Sequence, residues 1–187
     1  MSSIITLTGP SGIGKGYVKE HLRAAYPFVE PKVITTREPR ESVELSDRCF
    51  ICDEEFQKRL AAGELILVQE IHNKMYGFEK SAFECDGYVL TELHIDNVEA
   101  FRTQFPDAYM IGLTTDSQNL LHNRLKLRGE TQTEQALRLK NAVQELSQMA
   151  SIQQTFDLWY SVNFKNESRV VPDILKCVTE ECGVCIA

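Results

Sequence analysis

The stretch "GPSGIGKGY", Gly9 to Tyr17, follows the apolar run "IITLT" (Ile4 to Thr8) and leads into a helix-like segment. A glycine-rich turn between a strand and a helix aims successive backbone N–H groups, and the positive end of the helix, at phosphate oxygens. Gly9, Gly12 and Gly14 permit that backbone path, and Lys15 adds a point charge for the outer phosphates. The frame Gly9-x4-Gly14-Lys15 is that of a Walker A phosphate loop, so Ser11, Gly12, Ile13, Gly14, Lys15, Gly16 and Tyr17 are expected to line the phosphates of ATP. The alternative is a plain glycine-rich turn that caps a helix. The loop closes in an unusual way: Gly16 stands where Ser or Thr would offer a hydroxyl to Mg2+, and the phenol of Tyr17 reaches too far to replace it. Only one metal contact is lost, because Mg2+ commonly keeps several waters and is held by the nucleotide phosphates themselves.

Outward from this loop, strand-like and helix-like runs alternate, the pattern of a parallel sheet with crossover helices. "KGYVKEHLRAAY" places Val18, Leu22 and Ala25 on one helical face before Pro27. "PKVIT" reads as the second strand, followed by the polar loop "TTREPRESVELS". Asp53 is expected to cap a helix from Glu54 to Ala62, ended by Gly63. "LILVQEI", "NKMYGF", "GYVLTEL" and the buried type "AYMIGL" read as strands, with "IDNVEAFRTQF" a helix between the last two. Thr115 with Gln118, and Thr131 with Glu134, fit capping boxes for two helices joined by "RGET". "LWYSV" is a last strand, and a last helix begins near Pro172.

At 187 residues the chain suits one α/β domain, and 43% hydrophobic with 25% charged residues is an ordinary globular composition. A formal charge of -7 disfavours nucleic acid and anionic membrane surfaces as partners. No apolar stretch is long enough to span a bilayer, and the start "MSS" leads straight into a strand, so a cytoplasmic setting is expected. Cys49-x-x-Cys52 lies in a strand-like segment whose residues three apart face opposite ways, which chelates poorly. Cys182-x-x-Cys185 lacks the following helix that a redox pair uses to stabilise a thiolate, so free thiols are expected.

Arg124 and Arg128, four apart, share one helix face, and Arg138 on the next helix could close over the same point. Arginine forks suit the spread charge of a transferring phosphoryl group, although spacing alone also fits a solvated basic face. "GPSGIGKG" followed by "TTREPR", "MYGF", "RLKLRGET" and Arg138 resembles the guanylate kinase family, from about Ile4 to Asn166. The resemblance implies an α/β P-loop NTPase core with a parallel sheet and flanking helices (residues 1–32 and 89–187), an inserted acceptor-binding subdomain (about 33–88) and a small helical lid (about 128–138). It implies ATP as phosphoryl donor with Mg2+, and a small phosphorylated acceptor, GMP or a related nucleotide. Lys15, Arg124, Arg128 and Arg138 would clamp ATP and the transferring group, while Arg37, Arg40 and Tyr76 would grip the acceptor phosphate.

The base-reading positions depart from that pattern. Val33 replaces a serine, Leu67 the glutamate that accepts from the guanine edge, Phe78 another serine, and Arg48 a tyrosine. Glu92 and His94 fall near two family aspartates, Glu92 being the plausible longer substitute. A buried base edge without its partner loses roughly 1 to 3 kcal/mol, so weak discrimination for guanine is expected. The sequence also resembles bacterial ribose bisphosphate phosphokinases, which implies a sugar-phosphate acceptor. A non-catalytic guanylate-kinase-like binding module is the third reading, opposed by Lys15 and the arginines, which a scaffold has no chemical need to keep.

Overall fold

The computed structural model describes residues 3–39, 48–71, 73–126 and 131–183. In chain order the elements are β1 (Ser3–Thr8), α1 (Lys15–Ala25), β2 (Phe28–Val29), β3 (Val33–Thr35), β4 (Arg48–Phe50), α2 (Asp53–Ala61), β5 (Leu65–Ile71), β6 (Lys74–Glu79) and β7 (Tyr88–Glu92). Then come α3 (Val98–Gln104), β8 (Tyr109–Thr114), α4 (Gln118–Lys126), α5 (Gln132–Ser151), β9 (Leu158–Ser161) and α6 (Val170–Cys182). The contacts divide the chain into two compact units, one of residues 1–4 and 28–91, the other of residues 5–27 and 92–187.

The larger unit is built on β1, β8 and β9, all parallel, with β8 in the middle. Ile5 stands opposite Tyr109, and Ile111 opposite Leu158. Met110 to Leu113 are all buried, as a continuous apolar run must be when helices cover both faces of a parallel strand. Each helix contributes one apolar stripe: Val18 and Leu22 from α1, Leu120, Leu121 and Leu125 from α4, Ile174 and Val178 from α6. α1 stops where Tyr26 turns extended ahead of Pro27, and the Tyr26 hydroxyl lies 2.6 Å from Thr179 Oγ1 on α6.

Two expected helix starts move. The residue before α2 is Cys52, and Asp53 lies within the first turn, where its charge meets the helix dipole without a capping bond. At α4 the cap is Ser117, whose Oγ accepts from Leu120 N at 3.3 Å, while Thr115 Oγ1 accepts from Ser117 N at 3.0 Å. Thr115 is thus spent on the turn leading into the helix. The second box stands as read: Thr131 Oγ1 accepts from Glu134 N (3.4 Å), and Glu134 Oε2 accepts from Thr131 N (2.9 Å). The helix expected from Ile95 opens as a 3-10 turn, Ile95–Asn97, before α3.

In the smaller unit, β2 and β7 pair in parallel, Phe28 opposite Tyr88. A separate sheet has the order β4-β3-β6-β5, with β3 parallel to β4 and antiparallel to β6. One face packs on α2 through Ile34, Phe56 and Leu65, with Cys49, Ile51, Leu60, Val68 and Met75 around them. By register the other face carries Arg48 and Phe50, Val33 and Thr35, Tyr76 and Phe78, then Ile66 and Gln69. β5 has an irregularity between Ile66 and Gln69: Leu67 and Val68 together oppose Gly77, and Leu67 sits in the left-handed region at φ 53°.

Candidate active site

The phosphate loop hangs between β1 and α1. Gly9 is needed for close approach, since a Cβ there would lie 2.7 Å from the Leu113 carbonyl oxygen on β8. Gly14 is needed for its backbone: φ is 107° at the residue that opens α1. Ile13 anchors the loop from inside, 2% exposed, and its N–H donates to Pro10 O at 3.2 Å.

Three cations from three helices converge on this loop. Lys15 Nζ, at the start of α1, donates to Gly9 O at 2.7 Å and Pro10 O at 3.3 Å. Arg124 of α4 donates through Nη1 to Ile13 O (2.5 Å) and Gly12 O (3.3 Å). Arg138 of α5 reaches Ser11 Oγ with Nη1 at 3.5 Å. Three cations on residues 9–13 of a chain of net charge -7 form an arrangement suited to an anionic ligand. Arg128, expected to join them, lies outside the described residues, as does the start of the expected lid; Thr131 to Arg138 form the cap and opening turns of α5.

At Gly16 a Cβ would meet nothing within 4 Å, so the missing hydroxyl is not excluded by space. Tyr17 is 57% exposed, its ring 4.2 Å from the His21 ring. Among the described residues no three His, Cys, Asp or Glu side chains cluster as a metal site. Glu92 ends β7 and pairs with Lys19 of α1 at 3.6 Å. His94 Nδ1 lies 3.2 Å from Asp96 Oδ2 and accepts from Asp96 N, opening the next turn.

A polar pocket of about 570 Å3, lined by Asp116, Ser117, Gln118, Asn119, Ser161 and Asn163, opens where β8 and β9 end. Sequence reasoning missed a second partner of Arg124: its Nη2 donates to Glu167 Oε1 at 2.5 Å. The two residues are 43 apart in the chain, and no local pattern signals such a pairing.

In the smaller unit, Arg37 follows β3 on a turn pinned by Thr36, whose N–H donates to Met75 O and whose Oγ1 accepts from Met75 N, each at 3.1 Å. The Arg37 guanidinium lies over the Phe50 ring, 5.5 Å from its centroid, and its Nη1 donates to Glu38 O at 2.9 Å. Phe50, Thr35, Tyr76 and Gln69 form one cross-strand row, so Arg37 and Tyr76 share a sheet face. Arg40 lies outside the described residues. The adjacent row is Arg48, Val33, Phe78 and Ile66; Phe78 is buried and packs edge-on against Phe83 at 5.8 Å.

Cys49, Cys52, Cys85, Cys177 and Cys182 are free. Burial pushes the Cys182 thiol up to about 11, with Glu181 and Asp157 adding to the shift, so it is protonated and inert at neutral pH. Among the described residues no helix is long and apolar enough to cross a membrane.

Comparison with known proteins places the chain in a family. The guanylate kinase family model matches residues 1–167. The guanylate kinase of Lactobacillus delbrueckii subsp. bulgaricus is 33% identical over 142 residues, covering 72% of this chain and 69% of that protein. That of Helicobacter pylori is 29% identical over 157 residues, 80% of this chain and 76% of its own. The crystal structure of guanylate kinase from Anaplasma phagocytophilum has a similar fold, with a TM-score of 0.62 at 21% identity, covering 96% of this chain and 86% of that one. The chain belongs to the guanylate kinase family and is a P-loop phosphotransferase of the nucleoside monophosphate kinase type.

Proposed function

We propose that the protein transfers a phosphoryl group from ATP to a small phosphorylated acceptor, a nucleoside monophosphate such as GMP, with weak discrimination for the base. The observation that carries this reading is the convergence of Lys15, Arg124 and Arg138 on one glycine-rich loop. Such a set supplies the electrostatic half of phosphoryl transfer, since little covalent chemistry falls to the protein. Lys15 and the loop N–H groups would hold the outer phosphates, and the arginine forks would meet the charge spread over the transferring group. Arg128 would join them by its place in the sequence. The pocket at the carboxyl ends of β8 and β9 suits the rest of the donor nucleotide.

Mg2+ would travel with ATP, held by phosphates and water, because Gly16 offers no hydroxyl and no cluster of acidic side chains stands ready among the described residues. When bound it would neutralise phosphate charge. A cytoplasmic setting, where ATP is available and thiols stay reduced, fits the free cysteines.

The residue 28–91 unit is our candidate for binding the acceptor, and the segment about Arg128 to Arg138 for a lid over the donor. Arg37 on Phe50, with Tyr76 on the same sheet face, suits a phosphate dianion, and Arg40 would join them by its place in the sequence. In the neighbouring row three of the four side chains, Val33, Phe78 and Ile66, are apolar and offer a base edge no hydrogen bond, leaving Arg48 as its polar member. That row is the one observation favouring the second reading, a ribose bisphosphate acceptor. A coupled ADP-release assay with Mg·ATP, run against nucleoside monophosphates and ribose phosphates, tests both. Turnover with nucleotides at similar kcat/KM is expected; turnover confined to a sugar phosphate selects the second reading, and none with any acceptor refutes the first.

A further inference from the structure

We propose that Glu167 is a positioning residue for Arg124: it holds that guanidinium at the mouth of the phosphate loop with one edge turned free for phosphate. Arg124 is gripped at two places. Its Nη1 is fixed on the backbone of the loop, at Ile13 O and Gly12 O, and its Nη2 on Glu167 Oε1 at 2.5 Å. These contacts engage three of the five N–H groups of the fork. Among the described residues the Nε–H and one Nη2–H keep no partner, and together they form an edge able to take two oxygens of one phosphate.

The anchor is itself held still. Glu167 opens the 3-10 turn Glu167–Arg169 directly after a loop that two asparagines lock. Asn163 Oδ1 accepts from Lys165 N (2.9 Å) and Asn166 N (3.2 Å), while Asn166 Oδ1 accepts from Asn163 N at 2.8 Å. Asn166 Nδ2 donates to Ser161 O at 2.8 Å, and Val162 N to Thr114 O at 2.8 Å, tying the loop to β9 and β8. A carboxylate that served only the surface would not need such a mounting. Its own side chain is 51% exposed, so the pair contributes little to stability, and its effect falls on where the arginine points.

Position and charge predict opposite signs. Removing a negative charge near the loop strengthens ATP binding if charge alone matters; releasing Arg124 from its place weakens it. ATP affinity by titration calorimetry, kcat, and melting temperature are compared for wild type, Glu167→Ala, Arg124→Ala and the double variant. We expect Glu167→Ala to weaken ATP binding about fivefold and lower kcat about tenfold at unchanged melting temperature, with no further loss in the Arg124→Ala background. Binding in Glu167→Ala as tight as wild type or tighter overturns the proposal, as does the same loss with and without Arg124. Should the alanine variant unfold, Glu167→Gln takes its place in the cycle, with a smaller loss of the same sign expected and the same two results decisive. Only the kcat arm rests on the phosphoryl-transfer reading; a wild type that turns over no acceptor refutes that reading, while the affinity cycle still decides Glu167.

Discussion

The two units handle charge in contrasting ways. In the residue 5–27 and 92–187 unit, cations from α1, α4 and α5 meet on a loop whose glycines permit one backbone path. In the residue 28–91 unit, Arg37 lies over an aromatic ring beside a row of Arg48 and three apolar side chains, and a bulky residue carries the irregularity. Leu67 at φ 53° occupies the bulge position that glycine favours, at a cost of about 1–2 kcal/mol. Val68, the other bulge residue, joins the core cluster. The glycine-rich loop is thus built by a motif that tolerates few alternatives, while on the proposed reading the residue 28–91 unit pairs a phosphate grip with altered base positions.

The sharpest way to break the contrast is Lys15→Ala. We expect about a thousandfold loss of kcat/KM with the fold intact, the scale of removing a preorganised charged donor; activity near wild type in a steady-state assay would refute the donor assignment. Arg37→Ala comes next, with an acceptor KM raised about thirtyfold and the KM for ATP unchanged, as expected for losing one charged contact. An equal rise in both would show that the two halves are not separate in function.

Smaller effects test the altered side. The ratio of kcat/KM for GMP over AMP should stay within about tenfold, and Leu67→Glu should raise it by about tenfold, by returning a carboxylate that can accept from a base edge. No change in that ratio would remove Leu67 from the base site. Gly16→Ser finds room for its Cβ, and the expected gain is a two- to fivefold, about 1 kcal/mol at most, tightening of Mg·ATP over metal-free ATP.

The smallest effect is a pH dependence at the α5 cap. Hydrogen bonds from the Thr131 side chain, then its backbone, hold the Glu134 carboxyl below its ordinary value of 4.5. A depressed carboxyl stabilises the folded state above its unfolded value, and that contribution fades as pH falls through the folded value. Between wild type and Glu134→Gln, the difference in melting temperature should therefore shrink as pH drops below about 4.5, which differential scanning calorimetry would register.

Much of the donor half was legible in residues close together in the chain, because a strand, a glycine turn and a helix are local structures. "IITLT", the Gly9 to Lys15 frame and the Thr131–Glu134 box each appear where their spacing places them. Local reading failed where a better partner lay nearby, as Ser117 took the cap from Thr115, where helix α2 started one residue early with no side-chain cap at Cys52, and at β2, too short with Phe28 and Val29 to show a pattern. By themselves, the residues determined the family and the chemistry of the loop. Only tertiary structure decided that Arg124 answers to Glu167, that Arg37 rests on Phe50, and that Leu67 sits at a bulge opposite Gly77. Those are contacts between segments distant in sequence, and their geometry exists only once strands have paired and helices have packed.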